Sequence, residues 1–175
     1  MDARLHQVQG KAELVNDLLL LLQDFYRDKL AGVLRHIAGA RLVGQYDANN
    51  TYQYVINREE MQLSWVARTI VDLGGEVPAS AGDSLRDGTT AKGSERAIFE
   101  ADVRDAQAFI DRWRPRVDAM SNARHRGMLN VILGETAEQK RFFEQALAGR
   151  QDLLGRRTAD VGERVGVVLP TRWIE

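Results

Sequence analysis

The chain contains no cysteine in its 175 residues, which removes disulfide frameworks, thiolate zinc sites, iron–sulfur clusters and cysteine nucleophiles from consideration. A reducing compartment suits such a chain, and the cytoplasm is the expected location. Proline is almost as scarce: Pro78, Pro115 and Pro170 are the only three, so long stretches lack the residue that breaks helices most strongly. Neither sign of charge prevails. With 24 Lys and Arg against 25 Asp and Glu, no global field recruits nucleic acid or an anionic membrane surface. No apolar run approaches the ~20 residues that span a bilayer, since the richest, Leu18 to Leu22, runs straight into Gln23, Asp24, Arg27 and Asp28. Met1 to Gln7 lacks a charged region followed by an apolar core, so no signal peptide is expected.

What is present is helical periodicity at a length that suits one domain with a continuous core. From about Glu13 to Val43, Leu18, Leu22, Tyr26, Leu30, Val33, Ile37 and Ala40 recur every three or four residues, the stripe of an amphipathic helix. Asp47-Ala48-Asn49-Asn50 supplies cap chemistry for a second helix, expected from about Thr51 to Leu73, with Ile56, Glu60, Leu63, Ala67 and Ile70 on its inner face. Gly74-Gly75 stops it, and Pro78 follows. Glu76 to Gly93 is rich in Gly, Ser, Thr and Asp and reads as a connection. A third helix is expected from about Ser94, carrying Phe99, Asp102, Ala106, Phe109, Trp113 and Val117, with a kink or early end near Trp113 because of Pro115. The fourth, from about Asn122 to Ala148, offers Met128, Val131, Glu135, Phe142 and Ala146 inward. The expected organisation is a bundle over residues 1–148 and an extension over 149–175. The extension's apolar segment, Val165 to Ile174, is expected to pack on the bundle or on a partner subunit.

Three of these stretches carry a more specific pattern. Glu60-Met61-Gln62-Leu63, followed by Leu73-Gly74-Gly75 and Pro78, resembles the bacterioferritin pattern Glu-Met-x-His with its Leu-x-Gly-x-Pro ending, with Leu63 in the histidine position. Gly134-Glu135-Thr136-Ala137-Glu138 resembles the second Glu-x-x-His, with Glu138 in place of histidine. Lys29 to Leu42 is similar to the run that carries a ligand Glu and, seven residues on, a Tyr; here those positions hold Lys29 and His36. The resemblance implies an all-α, ferritin-like four-helix bundle with one long crossover between its second and third helices.

In that superfamily two irons or manganeses sit between carboxylates from all four helices. Carried over residue by residue, the resemblance implies Glu60, Asp102, Glu135 and Glu138 as the acidic set. A register shifted by one would instead put Thr136 and Gln139 inward on the fourth helix. Lys29 alters the chemistry, because a protonated lysine offers three donors and no acceptor and cannot ligate a metal. Buried carboxylates must be neutralised, hydrogen-bonded or protonated, since bare burial costs several kcal/mol per charge. Three solutions follow: an internal salt-bridge cluster led by Lys29 with help from Arg35 or His36, an all-oxygen site suited to Mn, Mg or Ca, or acids left wet. The expectation is a ferritin-like protein without a competent di-iron centre, with no cofactor favoured and Fe or Mn possible. A structural or interaction role follows, as a homodimer without nucleic acid or a membrane span. The alternative is a carboxylate-bridged metal oxidoreductase or metal-storage protein of the same superfamily. His6, His125, Trp65, Trp113 and the arginines at 112, 114, 116, 156 and 157 form no constellation with ligand or catalytic spacing.

Overall fold

The structure, a computed structural model, describes residues 2–82 and 94–154, with side chains from Val15 onward. The apolar segment 165–174 and the centre of the crossover lie outside the described residues. Four helices form the described chain: α1 (Asp2–Ala40), α2 (Tyr46–Asp72), α3 (Glu95–Asp118) and α4 (Ala123–Leu147). Among the described residues there is no strand, and no helix is long and apolar enough to cross a membrane.

The helix boundaries follow from local chemistry. α3 and α4 begin where expected, and Ser94 and Asn122 cap them, accepting from the backbone N–H of Ala97 (3.4 Å) and His125 (3.1 Å). α2 departs from expectation at its start. Its cap is Gln45, whose side chain accepts from Ala48 N at 2.5 Å, so the expected cap residues lie inside the first turns. Asn49 donates instead to the last carbonyl of α1, on Ala40, at 2.8 Å. The far end of α2 stops as expected. Gly74 takes φ 81°, and the N–H groups of Gly74 and Gly75 close on the carbonyls of Val71 and Ile70, both at 2.9 Å. Gly75 also lies so close to Leu19 that a Cβ there would sit 2.2 Å from Leu19 Cδ1. Pro115 does not end α3. It lies near the C-terminus, and Ala119 N–H still bonds to the Pro115 carbonyl at 3.2 Å, so the helix continues to Asp118.

Side-chain pairs give the topology. Leu19 meets Gly75, Lys29 meets Glu59 and Gly39 meets Tyr52, so α1 and α2 are antiparallel. Phe25 packs edge-on against Trp113 with centroids 4.9 Å apart, and Gly39 faces Ile98, so α1 and α3 are antiparallel too. α2 therefore runs in the same direction as α3. That is the arrangement with one long crossover between the second and third helices.

The core has two apolar halves. One holds Leu22, Phe25, Ile70, Trp113, Leu129 and Leu133; the other holds Val43, Tyr52, Val55, Phe99, Phe142 and Phe143. Leu153 is buried and Leu154 packs against the second half, so the first residues of the 149–175 extension fold back on the bundle.

Candidate functional site

Between the apolar halves lies a layer of buried polar side chains: Lys29 and His36 from α1, Glu59 and Gln62 from α2, Asp102 from α3, and Thr136 and Gln139 from α4. Lys29 and His36 are seven residues apart and share one face of α1, as two helical turns require. Glu59 with Gln62, and Thr136 with Gln139, are each three apart and share one face in the same way.

Glu59 is the centre. Its Oε1 accepts from Lys29 Nζ at 2.8 Å and its Oε2 meets His36 Nδ1 at 2.7 Å. The Glu59 side chain is 2 % exposed and that of Lys29 3 %. Lys29 also reaches Thr136 Oγ1 at 3.5 Å, while that hydroxyl donates to the Ile132 carbonyl at 2.9 Å. On the other side of the imidazole, His36 Nε2 stands 3.8 Å from Asp102 Oδ1, and the Tyr52 hydroxyl donates a hydrogen bond to Asp102 Oδ2. The result is a line of groups, Thr136, Lys29, Glu59, His36, Asp102 and Tyr52, threaded through the bundle.

Electrostatics follow from this geometry. Burial pushes the Glu59 carboxyl up, but the charges of His36 and Lys29 and their hydrogen bonds outweigh it and hold its pKa at about 2. Burial pushes the His36 imidazole down, yet Glu59 and then Asp102 prevail and raise it above 6.5. Asp102 is raised by burial, which the His36 charge and the Tyr52 hydroxyl offset only in part. Burial, and after it the charge of Asp102, pushes the Tyr52 phenol up, so it remains a donor. With His36 protonated and Asp102 ionised, the two cations and the two carboxylates of the layer balance.

The placement of the expected residues differs in detail. Asp102 is inward, as expected. Glu60, expected on the inner face of α2, is exposed; Glu59 is buried in its place, and Leu63 packs in the core. Glu138 is exposed and pairs with Arg141 at 2.5 Å, while Glu135 is half-buried at the α2/α4 seam, held by Nε and Nη2 of Arg58, along one guanidinium edge, and by Gln62 Nε2 at 2.6 Å. The register shifted by one, with Thr136 and Gln139 inward, is the observed one. Of the two helpers considered for Lys29, His36 joins the cluster and Arg35 instead pairs with Asp105 at 3.0 Å.

These residues do not fit a di-metal centre. Both Glu59 oxygens are engaged, by an ammonium that has no lone pair and by an imidazole N–H. Thr136, Gln139 and Gln62 are neutral, and Asp102 lies beyond His36, so the two buried carboxylates face opposite nitrogens of one ring and do not converge. Among the described residues no three His, Asp or Glu side chains are grouped to hold a metal ion. A cavity of about 30 Å³ adjoins the cluster, bordered by Lys29, Gly32, His36, Thr136 and Gln139. Gln139 Oε1 and Gln62 Oε1 are buried acceptors with no donor among the described residues.

The described molecule is an all-α four-helix bundle with a polar layer, centred on the Lys29–Glu59 ion pair, through its core. Against known proteins, the chain matches no family model, no curated protein and no solved structure.

Proposed function

We propose that this chain is a ferritin-like bundle in which a fixed salt-bridge cluster stands where the superfamily's di-metal centre would lie, and that it serves as a structural or interaction protein that self-associates as a homodimer. The observation that carries the reading is the Lys29–Glu59 contact, 2.8 Å long and sealed from solvent: the positive charge that interior carboxylates require is supplied by the protein itself. The paired i, i+3 positions on α2 and α4, and the residues seven apart on α1, support the superfamily assignment. In this reading the layer's role is specificity. A helix rotated or shifted along the bundle would strand Glu59 or Lys29 without a partner, and breaking a buried pair costs about 3 to 5 kcal/mol. The exposed Leu20, Leu34 and Leu42 offer apolar surface for self-association.

The test is metal-dependent melting, joined to sedimentation mass. Purified protein should melt at the same temperature with Mn, with Fe(II) and with chelator, and should sediment as a dimer. A melting temperature that falls in chelator and is restored by Mn or Fe(II) would replace this reading with the metal oxidoreductase or storage alternative, because only a ligand of the native state adds linkage stabilisation.

A further inference from the structure

The seam between α2 and α4 carries an apolar strip on its outer side. Met61 is 50 % exposed and Val131 51 % exposed, with the partly buried Trp65 and Met128 beside them. Gly134 on α4 adds no side chain, and a Cβ there would meet nothing within 4 Å. Toward the other end of the seam, past Arg58 and Glu135, Tyr54 and Phe142 meet edge-on at 6.1 Å, and an open hollow of about 380 Å³ is bordered there by Tyr54, Phe142, Leu153 and Leu154. The described chain therefore ends on the same seam that carries the strip.

We infer that the strip is the docking surface for the chain's own segment 165–174. That segment holds Val165, Val167, Val168, Leu169, Trp173 and Ile174, more apolar area than a chain leaves in water. Reach is sufficient. From Tyr54 to Trp65 is about 16 Å along α2 at the helical rise, whereas the ten residues 155–164 extend to about 33 Å. The rim is polar, with Arg58 and Glu135 paired at the crossing point, so the apolar contact is confined to the strip. This inference is independent of the central cluster.

The absence of native cysteine makes a direct test clean. Val131→Cys is made in the full chain and in a chain ending at Arg164, and the rate of maleimide labelling is measured at several protein concentrations. Labelling at least tenfold slower in the full chain, at every concentration, is the expected result. Ala108→Cys, at an exposed position of α3, should label at one rate in both chains. Equal rates for Val131→Cys would overturn the inference. Protection that grows with protein concentration would also overturn it, since a second copy would then cover the strip.

Discussion

Lys29 Nζ and Glu59 Oε1 stand 2.8 Å apart in the middle of the bundle, where neither charge reaches water. Removing the cation leaves Glu59 with only His36, so Lys29→Met should destabilise the protein by roughly 3 to 5 kcal/mol at pH 7. Urea denaturation measures it. The Glu59 pKa of about 2 lies below its unfolded value, so the stability it contributes is present above pH ~4.3 and is lost as pH falls toward 2. The gap between wild type and variant should accordingly narrow over that window. A loss under 1 kcal/mol at pH 7 would contradict the buried-pair reading.

His36 makes the opposite prediction. Its folded pKa is raised, so its contribution is complete below pH ~6.5 and declines as pH rises through the folded value. The wild type should therefore lose stability from near neutral pH upward, and His36→Gln should flatten that slope. Denaturation midpoints from pH 5 to 9, with an NMR titration of the imidazole, check both parts.

Tyr52 donates to the buried Asp102 carboxylate. Tyr52→Phe leaves that acceptor short of a donor, at a cost of about 1 to 3 kcal/mol. A double-mutant cycle with Asp102→Asn should show coupling above 0.5 kcal/mol, on the order expected for groups in one hydrogen-bond network. Additive losses would mean that the two groups act independently.

Glu60→Gln and Glu138→Gln should each change stability by less than about 0.5 kcal/mol, since both side chains face solvent. Glu59→Gln should cost several times more, because it leaves Lys29 without its anion. The adjacent pair at 59 and 60 thus tests the register of α2 by one residue.

Much of the architecture was legible along the chain. Scarce proline and apolar residues three and four apart required helices, Ser94 and Asn122 announced two helix starts, and Gly74-Gly75 marked the end of α2. Lys29 and Asp102 were expected to be inward, and they are. Gln45 was missed as a cap because the Asp and Asn residues just after it are stronger cap formers.

Which acid enters the core is a different kind of question. Successive residues on a helix point about 100° apart, so Glu59 and Glu60 both border the apolar stripe of α2, and the same holds for Glu135 and Thr136 on α4. Val131 and Met128 drew the α4 stripe outward, although they belong to the seam. The Ile132-Leu133 pair, both fully buried, was the signal for the right register. From the sequence alone came helices, their number, and a lysine where an anion-rich core needs a cation. Only the packed bundle decided that Glu59 is the carboxylate Lys29 meets, because helix rotation is set by the summed fit of two apolar halves, and no single helix contains that information.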